Sequence, residues 1–125
     1  MIAGINKPDT GIAPNYSDLN TFWNDFKKYA QAKDIAKLAT MTYFKFMNQN
    51  NMLSKQEFLK DFSFQRSALK ALAKARPPKY NGTKKSDFDT NKYLGKSYTA
   101  IAGGALLTFC KIRGQWKFTG VNYGE

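Results

Sequence analysis

The stretch that most constrains the fold is the last third of the chain, SYTAIAGGALLTFCKIRGQWKFTGVNY, residues 97–123. Gly103-Gly104 and Arg113-Gly114 separate three runs rich in aromatic and aliphatic residues. Glycines at such points suit two-residue hairpin turns, which require positive φ at central positions. The pattern predicts an antiparallel meander. A tight first turn sets Tyr98 opposite Phe109. A tight second turn sets Phe109 opposite Phe118, with Arg113 as an awkward leading residue. Side chains alternate along a strand, so one face carries Tyr98, Ala100, Leu107, Phe109, Trp116 and Phe118. The other carries Thr99, Ile101, Thr108, Cys110, Lys117, Thr119 and Val121.

Upstream the period changes. Leu19, Phe22, Trp23, Phe26, Tyr29 and Ala30 recur as one face of an amphipathic helix. Ser17 stands where a cap belongs, and Asp18 falls in the first turn. Lys27, Lys28 and Lys33 lie toward the end, where the helix dipole favours cations. Asp34 caps a short second helix through Ile35, Leu38 and Ala39. TYFKF, residues 42–46, alternates as a strand, and NQNN, residues 48–51, reads as a loop. Ser54 and Glu57 form a capping box ahead of a third helix, with Leu53 and Phe58 spaced as a staple. A fourth helix, SALKALAKA, stops before Pro77-Pro78. Residues 79–95 read as a long loop, with a short strand around 92–94. The chain thus divides into an extended leader, 1–15, and a single α+β domain, 16–125, with helices packed on one face of the sheet.

The bulk properties narrow the function classes. At 125 residues, 42% hydrophobic and 15% aromatic, the chain can bury a real core. There is no histidine, which excludes Ser-His and Cys-His nucleophile pairs, His-Asp dyads and histidine metal sites. A single cysteine, Cys110, allows no internal disulfide. No apolar run reaches the length of a transmembrane helix, and residues 1–16 lack the apolar core of a signal peptide. A cytoplasmic protein and an exported one with its signal removed both fit that start. Nothing in the sequence calls for a metal or a cofactor. The net charge of +11 points to solubility and to anionic neighbours.

Three stretches, FWNDFKKYAQAKD leading to LATMTYFKF, then LSKQEFLKDF, then FCKIRGQWKFTGVNY, together resemble small bacterial members of the NTF2-like superfamily. The resemblance spans residues 17–123. It implies helices set into the concave face of a curved antiparallel sheet, a cone with a pocket inside, and often a homodimer formed through the outer sheet face. It implies no single activity. Members resembling ketosteroid isomerase carry an acid on the sheet, yet no Asp or Glu occurs between Lys96 and Tyr123.

Three candidate sites follow. The first is an aromatic pocket for a small apolar or amphipathic ligand or a protein partner, formed by Trp23, Tyr29, Phe44, Tyr98, Phe109 and Trp116. Ordinary core packing accounts for the same spacing. The second is a basic ridge. No acid lies between Asp61 and Asp87, while Arg66, Lys70, Lys74, Arg76, Lys79, Lys84 and Lys85 do. With Tyr80 among them, they suit a nucleic acid, an anionic lipid or a polysaccharide. A solvated helix face is the plainer alternative. The third is a lyase or isomerase base among Asp25, Asp34 and Asp61. Asp34 also reads as a cap, and Asp25 as a solvent-facing residue beside lysines. No catalytic motif supports the third reading, and the sequence favours a non-enzymatic binding or accessory domain.

Overall fold

The structure is a computed structural model. It describes residues 16–85 and 96–123, and for 81–85 and 96 the backbone alone. Four helices come first: α1 (Leu19–Gln31), α2 (Ile35–Thr40), α3 (Lys55–Asp61) and α4 (Arg66–Leu72). A hairpin of β1 (Thr42–Asn48) and β2 (Asn51–Leu53) interrupts them. β3 (Lys79–Lys85), β4 (Lys96–Ala102), β5 (Ala105–Ile112) and β6 (Gln115–Tyr123) follow. The fold is α+β. The six-stranded sheet has the order β2-β1-β6-β5-β4-β3. It is mixed rather than wholly antiparallel, because β1 runs parallel to β6.

The meander has the expected register. Tyr98 pairs with Phe109, and Phe109 with Phe118. Gly103 takes φ +62°, and a Cβ there would lie 3.1 Å from the Ser67 carbonyl oxygen, so this turn also lets α4 approach closely. At the second turn both Arg113 (φ +53°) and Gly114 (φ +81°) are left-handed, as a type I′ turn requires. One expectation fails. A register shift pairs Thr108 with Gly120 rather than Thr119. This bulge inserts a residue into β6 and turns Val121 from the outer face into the core, where it is 1% exposed.

The helix ends follow local chemistry. Asp18, not Ser17, caps α1: its Oδ2 accepts from the Thr21 backbone N–H at 2.8 Å and the Thr21 hydroxyl at 2.9 Å. At the other end Lys33 is left-handed, φ +57°. The Lys33 N–H donates to Ala30 O and the Asp34 N–H to Tyr29 O, the two bonds of a Schellman motif. Asp34 caps α2 by accepting from Lys37 N–H. The Ser54–Glu57 capping box is formed in both directions.

Two loop assignments and one helix end change. Residues 48–51 are not a loop: Asn48 pairs with Asn51, and only Gln49 and Asn50 turn. Residues 79–85 form an edge strand, with Lys79 opposite Thr99 and Tyr80 opposite Tyr98. α4 stops at Leu72, short of Ala75. Lys74 and Ala75 donate three residues back instead, and Pro77 removes the donor that a longer helix needs. The leader, 1–15, and the strand expected at 92–94 lie outside the described residues.

Helices α1, α3 and α4 cover the inner sheet face. Phe118 lies at its centre, with ring centroids 4.7 Å from Phe46, 4.9 Å from Phe26, 5.4 Å from Phe109 and 5.9 Å from Phe64. The contact with Phe26 is edge-to-face, an arrangement that aromatic quadrupoles favour, and the other three are tilted.

Candidate functional site

The six aromatic candidates do not surround one open space. Trp23 and Phe109 are buried against each other edge-on at 5.9 Å, and Trp23 also stacks on Phe26. Tyr98 meets Trp116 at 4.8 Å near the β3 edge of the sheet. Phe44 lies against Phe58 at 5.3 Å, under α3. Tyr29 is flanked by the ammonium groups of Lys28 and Lys37 at 5.5 and 6.0 Å. Trp23 is 2% and Trp116 6% exposed. The region between α1 and the sheet is therefore occupied by side chains. The Trp23 indole N–H is the one buried side-chain polar atom, among the described residues, without a hydrogen-bond partner.

Open space lies in the helical layer instead. A cleft of about 280 Å³ is lined by Ala30 and Lys33 at the end of α1, Ile35 and Leu38 on α2, Phe62, Ser63 and Phe64 in the link after α3, and Arg66 and Leu69 on α4. It exists because α1 ends abruptly at the Schellman turn and the chain reverses into α2. Phe62 and Phe64 form part of its lining and also reach the core, Phe62 at 6.2 Å from Phe118 and Phe64 at 6.0 Å from Phe26. One tie spans it: Gln31 Nε2 donates to Leu69 O at 2.7 Å, joining the end of α1 to α4.

The electrostatics are one-sided. Lys33 and Arg66 are the charged residues of the lining, and both are exposed. Among the described residues no carboxylate lines the cleft. Of the residues that sequence reasoning singled out, only Arg66 belongs to it. The clue to Lys33 was its position just past a helix end. The clue to Phe62 and Phe64 was the alternation in FSFQR.

The basic ridge is exposed at Arg66, Lys70, Lys74, Arg76 and Lys79. The Lys84 and Lys85 side chains lie outside the described residues, although Lys85 sits opposite Lys96 in the register. Tyr80 is 41% exposed, its ring 5.6 Å from that of Tyr98.

The three candidate acids are each engaged or exposed. Asp25 is half-buried rather than solvent-facing, because Tyr16 at the domain's start donates its hydroxyl to Asp25 Oδ2 at 2.8 Å. Burial, and then this bond, push the Tyr16 phenol far above its ordinary value. Asp34 serves the α2 cap and Asp61 is exposed. Cys110 is buried on the outer face, 3.9 Å from Ser97 Oγ and 4.0 Å from Thr119 Oγ1, and burial raises its thiol pKa. The same outer face exposes Ile101 (69%) and, paired with it, Leu106 (40%). Among the described residues no three His, Cys, Asp or Glu side chains group to hold a metal, and no helix is long and apolar enough to cross a membrane. Comparison with protein-family models, curated proteins and solved structures returned no match.

Proposed function

We propose that the chain is a non-enzymatic binding or accessory domain that takes a small apolar or amphipathic ligand in the cleft between α1–α2 and α4. One observation carries this reading: a concave space lined mainly by apolar side chains, Ile35, Leu38, Phe62, Phe64 and Leu69 among them, lies beside a core of closely packed rings. At about 280 Å³ it lies just below the usual ligand-site range of roughly 300–1,000 Å³. That size favours a small guest. Membership of the NTF2-like superfamily, which rests on the sequence resemblance over residues 17–123, is part of the same proposal. In this reading the ligand site has moved from the aromatic interior to the helical layer.

Prodan, a neutral dye that brightens in apolar surroundings, tests it. Its fluorescence is expected to rise with the wild-type protein and to lose that rise in Leu69→Trp, which fills the cleft. Trp116→Phe, in the interior, is expected to keep it. A response insensitive to Leu69→Trp, or no response, defeats the cleft reading.

A second reading has its own observation. Five exposed cations, Arg66, Lys70, Lys74, Arg76 and Lys79, follow one another with no acid among them, and the partly exposed Tyr80 adjoins the last. This supports an anionic polymer as a partner. Retention on heparin that falls steeply with salt, and disappears when Lys70, Lys74 and Lys85 are changed to Glu, is the expected result. Retention unchanged by that triple substitution removes the ridge.

A further inference from the structure

The geometry points to an anionic amphiphile as the cleft's ligand: a carboxylate-headed aliphatic chain of medium length, its head held by Arg66 and Lys33. This deepens the cleft reading and rests on it.

Size sets the tail. At about 280 Å³ the cleft is small for a ligand site, so a medium-length chain suits it better than a long one. The lining suits them, because Ile35, Leu38, Phe64 and Leu69 offer only carbon. Each buried methylene contributes roughly a fourfold gain in affinity, so a medium chain gains usefully without needing a deeper site.

Charge sets the head. The cations come from two separate elements, Lys33 from the end of α1 and Arg66 from the start of α4. Two carboxylates, Asp34 and Asp61, lie near the lining residues in the chain. The Asp34 Oδ1 accepts the cap bond from Lys37, and Asp61 is exposed at the end of α3. Neither belongs to the lining. A carboxylate suits the fork of an arginine, which it can accept bidentately. Ser63 adds a hydroxyl to the same lining.

Calorimetric titration with three ten-carbon probes, each below its micelle concentration, tests the assignment: decanoate, decanol and decyltrimethylammonium. Decanoate is expected to bind roughly tenfold or more tighter than decanol, and the cation weakest of all. Arg66→Ala and Lys33→Gly should each move decanoate toward decanol, Arg66→Lys should restore part of the loss, and decanol binding should fall by a smaller factor than decanoate binding in Arg66→Ala and Lys33→Gly. Circular dichroism verifies that each variant folds. Equal binding of decanoate and decanol, or decanoate binding untouched by Arg66→Ala, overturns the charge assignment and leaves the cleft standing. Decanoate that fails to bind while prodan still reports the cleft does the same. Loss of both the prodan and the decanoate signals sinks the two readings together.

Discussion

The interior between α1 and the sheet and the cleft between α1–α2 and α4 invite comparison. The interior has the richer chemistry in sequence: Trp23, Phe26, Phe109, Trp116 and Phe118 all face it. It is closed, because the rings of Trp23, Phe26, Phe109 and Phe118 meet at centroid distances near 5–6 Å and Trp116 packs edge-on against Tyr98. The cleft is lined by plainer residues, Ala30, Ile35, Leu38 and Leu69 among them, and it is open. Large rings fill the space they surround. Room persists where a helix stops early and the next element turns away. Aromatic density in a sequence therefore marks where a core closes more readily than where a ligand enters.

The sharpest way to break this contrast is truncation on each side. Phe118→Ala is expected to cost about 3–5 kcal/mol of folding stability, because Phe118 is fully buried at the ring hub. Leu69→Ala, on the half-buried cleft wall, should cost only about 1–2 kcal/mol. Urea denaturation of both variants measures the difference. Equal costs would mean that the cleft wall is as tightly packed as the core.

Gly103→Ala comes next. It must hold a left-handed φ and bring a Cβ to 3.1 Å from the Ser67 carbonyl. A loss of about 1–3 kcal/mol is expected, read from the same urea curves. Because this turn helps seat α4, prodan affinity should fall with it.

Lys33→Gly separates stability from binding. Relief of the left-handed strain should stabilise the fold by about 1 kcal/mol, raising the melting temperature while decanoate affinity drops. A variant that is both less stable and equally good at binding contradicts the role given to Lys33. In the interior, Trp23→Phe deletes an indole N–H that has no partner. Relief of that unpaired donor should offset much of the lost packing, and the change should leave prodan and decanoate binding unaltered.

The smallest effect is one of pH. Bonds from the Ser54 backbone and hydroxyl lower the Glu57 pKa in the folded state. Its contribution is therefore present above the unfolded value, about 4.3, and fades as pH falls through the folded value. Glu57→Gln should flatten that part of the acid-stability profile, measured by melting temperature between pH 2 and 5. The effect reaches the cleft only through the seating of α3 ahead of Phe62.

Much of the fold was legible in the sequence, for local reasons. Gly103, Gly114, Asp34 and the Ser54–Glu57 box act over three or four residues, and the alternation from Tyr98 to Phe118 needs only the period of a strand. What was not legible depends on distant partners. Val121 turns inward because β6 must satisfy β5 on one side and β1 on the other, which the bulge accommodates. KYNGTKK lacks the alternating apolar residues of a central strand, yet it pairs as an edge, where lysines are well placed. Asp25 was read as solvent-facing because its partner, Tyr16, lies before the helix and docks onto it from outside. The cleft had no local signature. A space arises from how elements diverge, and Arg66 was found for its charge rather than for its surroundings.

A packed aromatic interior beside a helical layer that takes up ligand is the contrast to test. Mapping amide chemical shifts during a decanoate titration tests it most directly. The account predicts the largest shifts at Ala30, Lys33, Leu38, Phe64 and Leu69, with Trp23, Tyr98 and Trp116 nearly still. Shifts concentrated around Trp23, Tyr98 and Trp116, with the cleft residues unmoved, would contradict it.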